Sequence, residues 1–219
     1  QGLIGYLPQE FGSYENMTAH EYLHYQAMLK NITDVNTRNE RVTYVLNAVH
    51  MEERRHEKIG SYSGGMKQRM GIAQILLHLP RILVVDEPTA GLDPRERIRF
   101  RNLLVELSRE RVVIFSTHII EDISSSCNMV AVLNKGKLQQ VGPPLEVYER
   151  PASAFVAQFI GTPPMNFFDA VVRDGKLEAS KFSLPVPRPL PNGQKVHAGI
   201  RPENLLEANR QGRGATASI

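Results

Sequence analysis

Polar side chains that could do chemistry directly follow two apolar segments of strand length. Asp86 and Glu87 come after residues 82–85, and His118 comes shortly after residues 112–115. Ligands of open α/β sheets bind beyond the carboxyl ends of the strands, so one carboxylate could hold Mg²⁺ while the next orients a water. The imidazole would be delivered to the same edge. Taken alone, a solvated turn and a structural histidine are the alternative interpretations.

A second candidate is the glycine-rich segment at Ser63, Gly64, Gly65 and Met66, which precedes a helical pattern. Ser63 stands where the helix begins. The two glycines let an anion approach the backbone, and the free amides and positive end of the helix dipole favour a phosphate. The alternative is an ordinary serine-capped helix after a flexible loop.

The elements that must position these residues form a strand, helix, strand pattern. Residues 82–85 and 112–115 are continuous apolar runs, as expected for a parallel sheet covered on both faces. Between them Asp93 can cap, and Pro94 can begin, a helix that runs to about Ser108. The pattern predicts a right-handed crossover.

Two helices are predicted between residues 18 and 50, because Thr18 to Glu21 and Thr37 to Glu40 both have the spacing of a capping box. Residues 3–7 read as a further strand.

Residues 129–133 and 137–141 flank Asn134-Lys135-Gly136 and predict a hairpin. A helical pattern then runs to about Ile160, a domain boundary is expected near residues 161–165, and residues 207–219 are expected to be mobile.

The composition excludes several classes of protein. Hydrophobic residues at 42% are typical of a globular chain with a core. The net charge of +3 comes from scattered basic residues and argues against nucleic-acid binding. No apolar run reaches the roughly 18 residues of a membrane helix. The single cysteine, Cys127, cannot form an internal disulfide. The cytoplasm is therefore the expected compartment.

Five motifs in chain order resemble the landmarks of ABC transporter ATPases over about residues 3–142. They are Leu7-Pro8-Gln9, Tyr62-Ser63-Gly64-Gly65-Met66, Ile82 to Glu87, Ala90-Gly91-Leu92-Asp93 and Ser116-Thr117-His118. The resemblance implies an α/β fold of the P-loop NTPase type, with a parallel sheet and a helical subdomain at about residues 14–78.

The resemblance also implies the cofactors ATP and Mg²⁺ and a set of site residues. Gln9 and Asp86 would contact the metal, Glu87 would be the general base, and His118 would be the switch histidine near the γ-phosphate. Ser63, Gly64, Gly65 and Met66 would form the signature that contacts ATP, with Met66 where glutamine is usual, and Asp93 would belong to the loop at the dimer contact.

The phosphate-binding pattern G-x-x-x-x-G-K-[ST] does not occur in the sequence, since Gly136-Lys137 and Gly175-Lys176 are each followed by leucine. The family places that loop before Gln9. The expectation is an N-terminally truncated domain that is inactive alone.

The carboxyl-terminal part resembles the extension of sugar-importer ATPases. The motifs are Phe155-Val156-Ala157, Pro164-Met165-Asn166 and Gly199-Ile200-Arg201-Pro202-Glu203. The expected domains are residues 1–160, the ATPase, and residues 161–219, a partial β-barrel of the OB or TOBE type. Residues 5–30 and the signature look more like the efflux branch, so the direction of transport stays open.

The expected function is ATP-driven transport by a head-to-tail pair of ATPase subunits that act on a permease at the inner face of the plasma membrane. The alternatives are a binding module that supplies only the signature half-site, or a non-transport ATPase of the same superfamily. No long heptad pattern supports the latter.

Two weaker candidates remain in the helical regions. His20 and His24 are four residues apart and could bind a metal, but a solvated helix face is the favoured interpretation. The alternating Arg95, Arg97, Arg99 and Arg101 are expected to be distributed around a helix surface rather than to contact nucleic acid.

Overall fold

The computed structural model of the chain describes residues 2–9, 12, 14–124, 126–180, 182–186 and 188–205. The chain divides into two compact units, Gln1–Ser126 and Cys127–Ile219. The predicted boundary after residue 160 falls inside the second unit, and the two predicted domains stay a prediction. The fold class is α/β with a parallel sheet, as the sequence predicts, followed by a β-rich region.

The first unit contains a three-stranded parallel sheet in the order β1-β2-β3. Its strands are β1 Ile4–Leu7, β2 Ile82–Val85 and β3 Val112–Phe115. Leu7 pairs with Val85, and Val85 pairs with Phe115. The carboxyl ends of all three strands therefore lie side by side at one edge, because parallel strands in register end at the same level.

Five α-helices are described in the first unit. They are α1 Ala19–Leu29, α2 Val35–Ala48, α3 Gly64–Leu76, α4 Pro94–Leu107 and α5 Ile120–Ser124. Short 3₁₀ segments at Glu52–Arg54 and Ile59–Ser61 connect α2 to α3. The predicted helices around residues 18–50 and 94–108 are confirmed.

One of the two predicted capping boxes is present. Thr18 Oγ1 accepts from the N–H of Glu21 at 3.2 Å, and the Thr18 N–H donates to the Glu21 carboxylate at 2.9 Å. The second box, Thr37 to Glu40, is wrong because α2 begins earlier. Asp34 caps it and accepts from the Thr37 N–H at 2.7 Å. The Asp34 carboxylate, three residues upstream, accepts the Thr37 N–H that the predicted box would have paired with the Glu40 side chain.

The core of the first unit joins α3 to the sheet and to the neighbouring helices. Tyr22 on α1, Leu46 on α2, Met70 on α3, Leu83 on β2 and Phe100 on α4 are all buried in one cluster. Each such side chain contributes roughly 1.5–3 kcal/mol by leaving water. This packing orients the start of α3 and the carboxyl end of β2 within one unit.

The second unit begins with the predicted hairpin. It consists of β4 Val130–Asn134 and β5 Lys137–Gly142, which pair antiparallel. Lys135 and Gly136 make the turn with φ of 48° and 73°. A two-residue turn with both φ values positive matches the twist of the strands it joins.

The predicted helical stretch up to Ile160 is two helices rather than one. They are α6 Pro144–Glu149 and α7 Ala154–Phe159. Pro151 lies between them and cannot donate the hydrogen bond that would continue α6. Ser153 then caps α7 by accepting from the Val156 N–H at 3.3 Å.

A four-stranded antiparallel sheet in the order β8-β7-β6-β9 follows in the second unit. Its strands are β6 Asn166–Arg173, β7 Lys176–Glu178, β8 Ser183–Pro185 and β9 Lys195–Ile200. Ala170, Val172, Leu177 and Ala198 are the buried side chains of its small core. Residues 207–219, which were predicted to be mobile, lie outside the described residues.

A buried arginine ties α6 and α7 to the end of β9. Arg201 is 4% exposed. Its guanidinium donates to the carbonyls of Ala157, Ile160 and Tyr148 at 3.0, 2.5 and 2.9 Å. The Arg201 Cζ lies 4.0 Å from the centroid of the Tyr148 ring, whose hydroxyl donates to Glu203. The guanidinium therefore satisfies carbonyls that the short helices leave open.

Candidate functional site

The two predicted catalytic side chains are in contact at the carboxyl edge of the parallel sheet. His118 Nδ1 lies 2.9 Å from Glu87 Oε2. Glu87 follows the end of β2 by two residues, and His118 follows the end of β3 by three. The Glu87 side chain is 31% exposed and that of His118 is 65% exposed. A contact this exposed contributes only about 0–1 kcal/mol even between charged groups, so it adds little to stability.

Ser116 links the predicted metal ligand to the predicted base. Its hydroxyl donates to Asp86 Oδ1 at 2.5 Å and accepts from the Glu87 N–H at 2.9 Å. The sequence places Ser116 in a motif, but its type alone does not reveal these two bonds. The available signal was its position directly after β3, next to the strand that carries both carboxylates.

Glu87 has a backbone conformation that is uncommon for a residue with a side chain. Its φ is 40°. The left-handed region costs a non-glycine residue roughly 1–2 kcal/mol. The N–H of Ala90 donates to the Glu87 carbonyl at 3.1 Å and closes the following turn. The hydrogen bonds on both sides of Glu87 therefore hold a strained conformation that directs its carboxylate toward His118.

The third strand end carries Gln9, two residues beyond Leu7. Gln9 is exposed. The neighbouring strands are joined at this level, because the Asp86 N–H donates to the Leu7 carbonyl at 2.9 Å. The amide oxygen of Gln9 and the second oxygen of Asp86 are the kind of donors that Mg²⁺ prefers. The donor set at this edge thus fits the predicted metal.

The predicted signature forms the first turn of α3. Ser63 caps the helix and accepts from the Met66 N–H at 3.3 Å. Ser63 and Gly64 are exposed, whereas Gly65 is buried and Met66 is half-buried. The exposed start of α3 leaves backbone amides facing solvent, where an anion would be favoured.

Packing accounts for one of the two signature glycines. A Cβ on Gly65 would overlap the side chain of Glu96 in the first turn of α4, while a Cβ on Gly64 would only touch Leu92. Gly65 therefore favours the close approach of α4, since a larger residue would have to displace the Glu96 side chain. The sequence predicts that both glycines let a phosphate approach the backbone. Gly64 is exposed and leaves room for that approach.

Asp93 is the cap of α4. Its carboxylate accepts from the N–H groups of Arg95 and Glu96 at 2.9 and 3.0 Å. The preceding Gly91 has φ of 73°. A Cβ on Gly64 would lie 3.5 Å from Leu92 Cδ2, so the segment from Ala90 to Asp93 lies next to the start of α3.

The signature and the catalytic pair have different bonding partners. In the part of the chain that the structure describes, no hydrogen bond or ion pair joins Ser63 or Met66 to Asp86, Glu87 or His118. Among these residues the two predicted half-sites therefore do not share a hydrogen-bond network.

The histidines of α1 differ from the solvated face that the sequence favoured. His20 and His24 are half-buried, with ring centroids 4.3 Å apart, and the His56 ring lies 5.8 Å from that of His20 at a tilt of 39°. Arg38 Nε donates to His24 Nδ1 at 3.3 Å. Burial lowers the pKa of His20, with a further contribution from Arg55, and burial also lowers the pKa of His24.

The described residues contain no group of three or more His, Cys, Asp or Glu side chains placed to hold a metal ion.

The arginines of α4 are also less uniform than predicted. Arg95 and Arg99 are exposed, whereas Arg97 is half-buried and Arg101 pairs with Asp122. Among the described helices none has the length and apolar character needed to cross a bilayer.

Two families match separate parts of the chain. The ABC transporter family matches residues 1–90, and the MalK OB fold domain matches residues 161–205. The trehalose/maltose import ATP-binding protein MalK of Thermococcus litoralis is 35% identical over 214 residues, covering 91% of this chain and 56% of that protein. The sn-glycerol-3-phosphate import ATP-binding protein UgpC of Chromobacterium violaceum is 34% identical over 93% of this chain and 57% of its own length.

A further relative, the ABC transporter ATP-binding protein YxlF of Bacillus subtilis, is 40% identical over 64% of this chain and 47% of its own length. Among solved structures, cbiO1 of Clostridium perfringens, part of the ABC transporter complex cbiONQ, is similar with a TM-score of 0.60 and 28% identity. It covers 68% of this chain and 61% of its own length. The chain spans about half the length of the curated relatives it matches.

Proposed function

The chain belongs to the ATP-binding subunits of ABC transporters, and from this premise we propose that it carries two parts of such a subunit, the catalytic residues at the strand ends and the signature at the start of α3. The subunit would drive solute import. The observation that carries the proposal is the contact of Glu87 with His118 at 2.9 Å, beside an Asp86 that Ser116 holds in place. Strand ends at one edge of a parallel sheet bring these groups together.

Asp86 and Gln9 would hold Mg²⁺, which supplies charge neutralisation to the phosphates when it is bound. Ser116 occupies Oδ1 of Asp86, so Oδ2 remains for the metal. Glu87 would orient and deprotonate the attacking water. Its Oε2 contacts His118, and Oε1 is left for the water. A base must lie within hydrogen-bond reach of the proton that it takes, and the position of Glu87 at the strand tip meets that need.

The signature would act on ATP held by a second subunit. Ser63, Gly64, Gly65 and Met66 form a helix start that is suited to an anion, and Asp93 lies in the neighbouring loop that caps α4. In a head-to-tail dimer each ATP would lie between the catalytic strand ends of one copy and the signature of the other. Ser63 and the amide of Gly64 would contact the phosphates directly.

The partner in the membrane would be a permease, which places the subunit at the cytoplasmic face of the plasma membrane. Relatives that align with about nine-tenths of the chain are named as import proteins for trehalose/maltose and for sn-glycerol-3-phosphate. The match of residues 161–205 to the MalK OB fold supports the same direction. We therefore favour import over export, with a small polar solute as the substrate class.

The experiment uses a chimera, since the chain spans about half the length of its relatives. Residues 2–205 replace the aligned part of the Thermococcus litoralis protein, and ATP hydrolysis is measured with and without Glu87→Gln. The variant is expected to bind ATP normally and to hydrolyse it at least about a hundredfold more slowly, the scale of a positioned base.

The matched control is Glu57→Gln, which changes an exposed glutamate paired with Arg54 on a short helical segment. It is expected to hydrolyse ATP at the unsubstituted rate. If the Glu87 variant hydrolysed ATP as fast as the Glu57 variant, Glu87 would not be the base. An unsubstituted chimera that folds and binds ATP without hydrolysing it would contradict the proposed activity.

A further inference from the structure

One buried carboxylate in the first unit has no part in the proposed chemistry. Asp122 on α5 is fully buried. Among the described polar or charged residues, only Thr89, Asp122 and Arg201 are buried to this degree, and the first two are bonded to each other. A buried carboxylate is costly unless it is paired and hydrogen-bonded, so its partners indicate what its place in the fold secures.

Asp122 uses both of its oxygens. Thr89 Oγ1 donates to Asp122 Oδ2 at 2.6 Å, and Arg101 Nη1 lies 3.4 Å from Oδ1. The same guanidinium nitrogen donates to the carbonyl of Glu121 at 3.2 Å. The network therefore joins the turn after β2, the middle of α4 and the start of α5.

The two ends of this network lie next to the two members of the catalytic pair. Thr89 is two residues after Glu87, and its own carbonyl accepts from the Leu92 N–H at 3.2 Å. Asp122 is four residues after His118, and its N–H donates to the Ile119 carbonyl at 3.1 Å. Thr89 and Asp122 are thus each held by a turn hydrogen bond as well as by burial.

The exposed pair of Glu87 and His118 cannot hold its own geometry, since an ion pair on the surface contributes little. We propose that Thr89 and Asp122 are positioning residues that hold the Glu87 turn and the His118 turn together. This inference rests on the proposed function of Glu87 and His118. The hydroxyl of Thr89 is the link between the two turns, and Arg101 keeps the Asp122 carboxylate in the orientation that receives it.

The first test needs no nucleotide and uses the 219-residue chain. Thr89→Val keeps the shape of the side chain and removes the hydroxyl, whereas Thr89→Ser keeps the hydroxyl. Hydrogen exchange is measured in peptides covering residues 87–93 and 117–123, with α3 as the internal reference. In the valine variant both peptides are expected to exchange about tenfold faster while α3 is unchanged, and the serine variant is expected to resemble the parent.

Three results would overturn the proposal. They are loosening of residues 87–93 alone, equal loosening of α3, or equal exchange in the valine and serine variants. Equal loosening of α3 would mean a general loss of stability, and equal exchange in the two variants would mean that the Thr89 hydroxyl is not the link. Thr43→Val, at an exposed site on α2, controls for the effect of valine itself.

The second test separates this inference from the proposed function. In the chimera Thr89→Val is expected to lower kcat by about tenfold or more while KM for ATP stays within about twofold, because the base is displaced rather than the nucleotide site. Thr89→Ser is expected to restore kcat. A chimera without hydrolysis would contradict the function, whereas hydrolysis that is indifferent to Thr89→Val would contradict the positioning.

Discussion

Replacing Arg201 with methionine is expected to destabilise the second unit strongly. Methionine retains an unbranched apolar stem but has no donor for the carbonyls of Tyr148, Ala157 and Ile160. Those carbonyls belong to α6 and to the end of α7, and Arg201 follows the last residue of β9. The substitution therefore detaches two short helices from the sheet that they accompany.

The size of the effect follows from the contacts. A hydrogen bond from a charged donor contributes about 1.5–3 kcal/mol, and a cation–π contact such as that with Tyr148 adds about 1–2 kcal/mol. The desolvation of the guanidinium offsets part of this gain. Each of the three carbonyls left without a donor costs about 1–3 kcal/mol, so a net loss of about 3–5 kcal/mol is expected. That is a large part of the 5–15 kcal/mol that stabilises an ordinary domain.

Hydrogen exchange of the whole chain measures the effect in each unit separately. Exchange in β6 and β9 is expected to rise between about a hundredfold and several thousandfold in Arg201→Met, since each tenfold corresponds to about 1.4 kcal/mol. Exchange in α3 of the first unit serves as the internal reference. The control is Arg188→Met, at an exposed arginine of the same unit. If the two methionine variants exchanged alike in β6, the proposed anchoring by Arg201 would be refuted.

Three further predictions concern the first unit. Ser63→Arg in the chimera should abolish ATP hydrolysis but leave ATP binding to each monomer intact, because the larger side chain fills the anion position at the start of α3. Hydrolysis at the parent rate would exclude a signature role for Ser63. Asp93→Ala should lower the free energy of unfolding by about 0.5–2 kcal/mol in urea titrations, because a helix cap is lost. Asp93→Asn should lower it by less. Equal free energies of unfolding in the two variants would show that the cap is not formed. The pKa values of His20 and His24 are lowered in the folded chain, so their contribution to stability is present above their ordinary pKa of 6.5 and is lost as the pH falls through the lowered folded values. The urea midpoint of unfolding should therefore drop between pH 7.5 and 5.5. The double variant His20→Gln with His24→Gln should flatten this pH dependence, and an unchanged pH dependence would mean that other groups cause it.

Much of the fold could be predicted because its signals are local. Continuous apolar runs identify β2 and β3, and Thr18 with Glu21 identifies the start of α1, since a cap depends on groups three residues apart. The same rule failed at Thr37. Asp34 had an equally short route to the same amide, and spacing alone does not decide between two competing caps.

The candidate site was predictable to the level of its strands. Parallel strands in register predict that Glu87 and His118 share an edge, but not that their side chains meet at 2.9 Å or that Ser116 bridges Asp86 to the Glu87 amide. Those contacts depend on the turns after each strand. One such turn places Glu87 at a positive φ that its residue type disfavours.

The sequence by itself determined which residues are apolar, where helices and strands begin, and which motifs follow the strand ends, because these depend on neighbours within about four residues along the chain. Only the tertiary structure decided that Thr89 meets Asp122 from 33 positions away, that Glu96 covers Gly65, and that Arg201 reaches the carbonyls of α7. Such contacts are selected by the packing of whole elements, and a buried polar group finds its partner only after that packing has closed around it.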